Sequence, residues 1–205
     1  MKPHAASSLG VSRETEEKLA SFVDLLLRWN GRINLVSARS AEDVWRRHVA
    51  DALQLLPLAP ASPERAIDIG SGAGFPGLVL AVATGRETHL VEADKRKAAF
   101  LSQAASQLGL ANVRVHPRRV EAAPLPEAAL LTARALAPLP ALLRYARPLL
   151  APGGVALFPK GRTAERELTD ASRDWIMRVE RFPSRTDPAS TIFRISEIRP
   201  AGLEA

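Results

Sequence analysis

The sequence predicts an α/β fold: a doubly wound, mostly parallel seven-stranded sheet with helices on both faces and an antiparallel edge, preceded by a short helical extension. Three observations predict it. From residue 65 onward, short apolar runs alternate with helical segments, the pattern of crossover units that place parallel strands side by side. Residues 1–60 read instead as amphipathic helix, and prolines separate the two regimes. Near the end of the chain two strand-like runs succeed each other with only a loop between them, as an antiparallel pair does.

From Glu14 to Asn30, Leu19, Phe22, Val23, Leu26, Leu27 and Trp29 recur at spacings of three and four, which makes an amphipathic helix. Gly31 marks its stop, and INLVS is a connector. Ser40 with Asp43 three residues on resembles a capping box, so a second helix is expected from Ala41 to about Leu56. Pro57, Pro60 and Pro63 then form a linker. The expected division is therefore an extension, 1–60, packed on a main domain, 61–205. RAIDI, ETHLV, NVRVH, ALLTARA and VALFP read as five strands, with helices near Leu78–Ala83, Lys95–Leu108 and Leu139–Leu150 between them. WIMRVERF and TIFRISEI, flanking FPSRTDPAS, supply the closing pair. At 205 residues one domain with an extension is the natural size.

Composition removes several function classes. There is no cysteine, which excludes disulfide scaffolds, thiolate metal sites and thiol nucleophiles, among them the enzymes that attack pyrimidine C5. No metal-ligating set is expected. No apolar run approaches the ~20 residues of a membrane span, and the N-terminal stretch lacks a signal-peptide core, so a cytoplasmic protein without membrane contact is expected. The net charge of +6 comes almost wholly from 23 arginines against 5 lysines. Arginine suits bidentate contact with phosphate or guanine, although an Ala, Arg and Pro vocabulary explains much of the excess equally well.

Chemistry concentrates in DIGSGAGFPG, Asp68 to Gly77, which lies between a strand and a helix where a nucleotide-type glycine loop belongs. Gly70, Gly72 and Gly74 permit a tight turn, and Pro76 suits a first helical turn. Gly72, Gly74 and Gly77 also satisfy a dinucleotide fingerprint. Two carboxylates break the tie. Asp68 at the strand end can orient the loop or meet a cationic amino-acid group, and a pyrophosphate would find it repulsive. Glu92, closing the next strand, is placed to accept from both ribose hydroxyls. An adenosine ribose without pyrophosphate points to S-adenosylmethionine. After the third strand, the backbone of Val120 and Glu121 is placed to read an adenine edge, while a surface salt bridge at Glu121 explains that acid equally well.

After the fourth strand the chain has Thr132-Ala133-Arg134-Ala135, with none of the Asn/Asp-Pro-Pro-aromatic pattern that clamps an exocyclic amine. An acceptor needing no base is therefore favoured, and guanine N7 is one, since its lone pair is free at neutral pH. No catalytic base is assigned. Arg134 is the candidate positioning residue, facing the methionine carboxylate or the O6/N7 edge of guanine, with an ion pair at the sheet edge as the alternative. His48 and Asp51, three apart on one helix face, read as a lock between the extension and the sheet, with RNA contact as the alternative. Arg39, Arg46, Arg47, Arg118, Arg119, Lys160 and Arg162 are candidate RNA contacts, with Arg114 nearby.

WNGRINLVS (Trp29 to Ser37), RHVAD (Arg47 to Asp51), the glycine loop, LVEADKRKAAFL (Leu90 to Leu101), RVE (Arg119 to Glu121), ARA (Ala133 to Ala135) and KG (Lys160 to Gly161) occur in one order over nearly the whole chain. In this the sequence resembles the bacterial small-subunit (16S) ribosomal RNA guanine-N7 methyltransferases, also called glucose-inhibited division protein B. The resemblance implies a Rossmann-like class I methyltransferase. It also implies S-adenosylmethionine held by Gly70 and Phe75, by Glu92, Ala93 and Asp94, by Val120-Glu121 and by Arg134, with Asp68 and Gly72 completing the loop. Glu92 stands where many relatives carry Asp, and TIFRISEI lacks their Arg/His-rich lead-in. The implied partner is 16S ribosomal RNA or the small ribosomal subunit, and a monomer is expected. Methylation of another acceptor and a non-catalytic RNA-binding protein with a vestigial nucleotide site are the alternatives.

Overall fold

The computed structural model describes residues 10–61 and 64–202; Pro63 of the expected linker lies outside them. Helix α1, Arg13–Asn30, is capped by Ser12, whose hydroxyl accepts from the Thr15 amide at 3.2 Å. Its apolar stripe buries Leu19, Phe22, Val23, Leu25 and Leu26. The connector turns back because the Asn30 side-chain oxygen accepts from both Leu35 and Val36 amides at 2.9 Å.

The second expected helix is divided. Ser37, not Ser40, caps α2, Ala38–Glu42, accepting from the Ser40 amide, and Asp43 leaves helical geometry at φ −130°. The Asp43 carboxylate accepts from Arg46 Nε at 2.7 Å and does no capping. A π-helical turn, Trp45–Ala50, then runs into α3, Asp51–Leu53, and a 3-10 turn, Leu56–Leu58. Such wide turns occur mostly as short insertions at functional sites, and this one presents His48 and Asp51 to the sheet.

The sheet domain then runs β1 Ala66–Ile69, α4 Gly77–Thr84, β2 Thr88–Val91, α5 Lys95–Gln107, β3 Val113–His116, a 3-10 turn Val120–Ala122, β4 Ala128–Thr132, α6 Leu139–Ala146, β5 Leu150–Lys160, α7 Ala164–Ala171, β6 Trp175–Pro183 and β7 Thr191–Pro200. The strand order is β3-β2-β1-β4-β5-β7-β6. β7 runs antiparallel to both neighbours, inserted between β5 and the edge strand β6.

Two boundaries and one further element differ from the sequence expectation. β4 ends at Thr132, so Ala133 to Ala135 leave the sheet, and Ala135 takes a left-handed φ of 53°. α6 stops at Ala146, just before Arg147-Pro148, and Leu150 already belongs to β5. α7 was not expected, although Ala164, Leu168 and Ala171, its buried residues, recur at spacings of four and three.

The core has a layer on each face of the sheet. On one, Leu19, Phe22 and Leu26 of α1 join Leu78, Phe100 and Leu101 of α4 and α5, so the extension shares this core with the main domain. On the other, α6 and α7 pack Leu139, Leu143 and Leu168 on Ile67, Leu131, Phe158 and Phe193. Burying a side chain such as Phe22 contributes about 1.5–3 kcal/mol. Several such residues on one stripe hold α1 to the sheet and thereby position the π-helical turn over the carboxyl end of β4.

Candidate active site

The carboxyl ends of β1, β2 and β4 carry the expected cleft, about 510 Å³ in volume. Gly70, Gly72, Glu92, Ala93, Val120, Glu121 and Arg134 all line it, together with Arg118 and Arg119. Open parallel sheets bind ligands at this end, and seven of the ten expected cofactor residues meet there.

The glycine loop is tied down from within. The Gly70 and Ser71 amides donate to the Val91 carbonyl at 2.9 and 3.0 Å, and the Gly74 amide donates to the Ser71 carbonyl at 2.7 Å. The Gly72 amide donates to Glu92 Oε2 at 2.8 Å. Gly70 and Gly74 both have positive φ, and a Cβ at Gly70 would lie 2.6 Å from the Leu136 side chain. Glu92 is clamped from both sides, because its Oε1 accepts from the Asp94 amide at 2.8 Å. Each carboxylate oxygen retains a second lone pair, and the residue lines the cleft.

Three expected contacts lie elsewhere. Asp68 is 1% exposed and lines no cleft. Its Oδ1 accepts from the Thr132 hydroxyl at 2.6 Å, and Oδ2 is buried against Gly77 without a well-formed hydrogen bond. Burial pushes its carboxyl up to about 6, against the hydroxyls of Thr132 and Ser71, the Gly77 amide and the Arg134 charge, which lower it. Asp68 supports the loop from beneath, against Thr132 and Gly77. Phe75 is likewise in the core: its ring packs 5.4 Å from Phe22 and stacks on His48 at 4.9 Å. Asp94 caps α5, accepting from the Arg96 and Lys97 amides, and those bonds hold its carboxyl below the usual range.

Arg134 sits where the extension meets the sheet. Its Nη1 donates to Asp51 Oδ2 at 3.1 Å and to the Arg47 carbonyl at 3.3 Å, and its Nη2 lies 2.9 Å from His48 Nδ1. Since a guanidinium only donates, His48 is neutral with Nδ1 accepting. Burial first, then the Arg134 charge, lower its pKa to about 4. The guanidinium also lies over the Phe75 ring, 5.4 Å from its centroid. Asp51 Oδ1 accepts from Thr186 at 2.6 Å and from Gln54 at 2.8 Å, extending the lock to the β6–β7 loop.

Among the residues expected to meet RNA, Arg39, Arg47, Arg118, Arg119 and Arg162 are exposed. Arg114 pairs with Glu87 at 3.4 Å, and Arg46 is drawn to Asp43. Lys160 departs from the expectation of a phosphate contact. Its ammonium is nearly buried, bound to Glu167 at 2.6 Å and to the Ala137 carbonyl at 2.8 Å. Sequence reasoning missed Lys97, Leu136 and Tyr145, which also line the cleft. Lys97 falls inside the LVEADKRKAAFL motif, and Tyr145, the only tyrosine, donates to Glu121 at 2.9 Å. That bond replaces the surface salt bridge considered for Glu121. No helix among the described residues is long and apolar enough to cross a membrane.

The loop's chemistry separates the two ligand classes its glycines allow. A pyrophosphate needs free amides at the loop and the helix start. Here the amides of Gly70, Ser71, Gly72 and Gly74 are already bonded, Pro76 has none, and the Asp68 carboxylate faces Gly77. A ribose needs an acceptor for its hydroxyls, which Glu92 supplies.

Comparison with known proteins agrees. A solved S-adenosylmethionine-dependent methyltransferase from Aquifex aeolicus has the same fold, with a TM-score of 0.59 at 15% identity over 74% of this chain and 91% of that one. Ribosomal RNA small subunit methyltransferase G of Granulibacter bethesdensis is 59% identical over 92% of this chain and 88% of its own length. The protein of the same name from Acidiphilium cryptum is 56% identical over 96% and 97%. The family model GidB, rRNA small subunit methyltransferase G, matches residues 15–189, and the chain therefore belongs to that family.

Proposed function

We propose that this methyltransferase moves the methyl group of S-adenosylmethionine to N7 of a guanine in 16S ribosomal RNA, in the cytoplasm and as a monomer. The observation that carries the reading is the clamped Glu92 beside a glycine loop in which the amides of Gly70, Ser71, Gly72 and Gly74 are bonded internally, within a chain of this family. Glu92 would accept from the ribose hydroxyls, the Val120-Glu121 backbone would meet the adenine, and Arg134 would face the methionine carboxylate or the incoming base.

Bound in the cleft, S-adenosylmethionine supplies an electrophilic methyl on its sulfonium, so an N7–C bond forms as the C–S bond breaks and no proton has to move. What the chain contributes is alignment, which is worth up to ~7–11 kcal/mol in well-oriented reactions. Neutral His48 is stacked on Phe75 and accepts from Arg134, so it holds the guanidinium and serves as no base. Arg118, Arg119 and Lys97 ring the cleft mouth and suit phosphates of the RNA.

Mass mapping of N7-methylguanosine in 16S RNA from cells with and without the gene tests this. One site should lose its methyl in the deletion strain, and an unchanged spectrum refutes the assignment. Calorimetric titration with S-adenosylhomocysteine and with NAD should show binding of the first alone.

A further inference from the structure

A second cleft, about 430 Å³, opens on the other side of the Arg134–Ala137 strip, above the carboxyl end of β5 and the start of β7. The two clefts share that strip as a wall. The charged lining of the second consists of two ion pairs, Arg134 with Asp51 and Lys160 with Glu167. Arg134 and Asp51 form the lock to the extension. The Lys160–Glu167 pair is largely buried as well, its side chains 10% and 20% exposed.

Burying such a pair is costly unless its remaining hydrogen-bond capacity is used. Glu167 Oε2 accepts from Lys160 and from the Leu139 amide at 2.9 Å, and Oε1 accepts from the Thr163 hydroxyl at 2.8 Å. Oε1 therefore keeps one lone pair. Lys160, bound to Glu167 and to the Ala137 carbonyl, keeps one N–H. An acceptor beside a donor, in a cleft next to the methyl-donor cleft, is complementary to guanine, which carries the 2-amino donor and the O6 acceptor on one edge.

We propose that this second cleft receives the unpaired target guanine, with Glu167 accepting from its 2-amino group and Lys160 donating to O6. The assignment rests on the guanine reading above and extends it to the residues that choose the base.

The test compares a 16S RNA fragment carrying guanosine at the target with the same fragment carrying inosine, which keeps N7 and O6 and lacks the 2-amino group. The wild-type enzyme should favour guanosine roughly 10- to 100-fold in kcat/KM, the weight of one hydrogen bond to a charged group. In Glu167→Gln, with an amide N–H₂ in place of Oε1, that preference should collapse toward unity. The ratio is independent of the fraction of variant folded. Where variant turnover is too slow, competition between the two RNAs for the S-adenosylhomocysteine-loaded protein reads the same ratio. A wild-type enzyme indifferent to inosine, or a variant that discriminates as the wild type does, overturns the proposal and leaves the methyl transfer intact. A wild-type enzyme that binds S-adenosylhomocysteine and methylates neither RNA, free or reconstituted into small subunits, overturns the guanine reading itself.

Discussion

Glu92 is the residue on which loop geometry and ligand binding converge, so replacing it separates the two. In Glu92→Gln the side-chain shape is kept but only one oxygen remains, and two amides, those of Gly72 and Asp94, compete for it. One amide loses a charge-assisted acceptor and faces an N–H₂ group instead. A hydrogen bond to a charged partner contributes about 1.5–3 kcal/mol. For a chain of this size each kcal/mol moves Tm by about 2–4 °C, so Tm should fall by about 3–12 °C. The ribose hydroxyls lose an acceptor at the same time, which should weaken S-adenosylhomocysteine by roughly 10- to 100-fold. Glu92→Asp keeps both oxygens and the charge, and should lose less on both counts. Differential scanning calorimetry and isothermal titration measure the two effects. A Glu92→Gln variant with wild-type Tm and wild-type affinity would mean that neither the loop nor the ligand depends on this carboxylate.

Asp68 makes stability depend on pH with an unusual sign. Its carboxyl is raised to about 6 in the fold, above the ordinary 3.8, so the native state holds the proton more tightly. Stability from this group is therefore full below about pH 4 and declines as pH rises through 6, by about 3 kcal/mol. Urea titrations of wild type and Asp68→Asn should diverge by about that amount between pH 4 and 7, with the variant gaining on the wild type; parallel curves would contradict the buried carboxylate. Gly77→Ala would place a Cβ 2.4 Å from Asp68 Cβ, where neither backbone can yield, so a loss of ~3 kcal/mol or more is expected in the same titration. Arg118→Ala and Arg119→Ala should each lower the slope of log affinity for single-stranded RNA against log salt by ~0.7. An unchanged slope would remove these two from the RNA surface.

Much of the fold was legible because its signals are local. Leu19, Phe22, Val23 and Leu26 repeat at helical spacing, and the strands of the parallel sheet are short apolar runs bounded by turns. The π-helical turn at Trp45–Ala50 was not legible. Its sequence reads as ordinary helix, and it widens only where His48 and Asp51 engage Arg134 across more than 80 residues. α7 was missed because it is only eight residues long and its buried face is made of Leu168 and two alanines, Ala164 and Ala171. Seven of the expected cofactor residues gather around one cleft because a glycine loop, an acid after the second strand and a short turn after the third each keep a fixed place in such sheets. Asp68, Phe75 and Asp94 belong to the same motifs, yet motif membership says nothing about which way a side chain faces.

Residue type and spacing were enough for the alternation of strand and helix, the glycine loop, the acid at Glu92 and the resemblance that names a family. They also excluded thiol chemistry outright. Folding alone settled that Asp68 lies beneath the loop with a raised pKa, that the amides of Gly70, Ser71, Gly72 and Gly74 are already engaged, and that Lys160 turns inward to Glu167. Those outcomes depend on which groups exclude water from one another. Gly72 and Glu92, 20 positions apart, and Asp68 and Thr132, 64 apart, meet only when the sheet has formed.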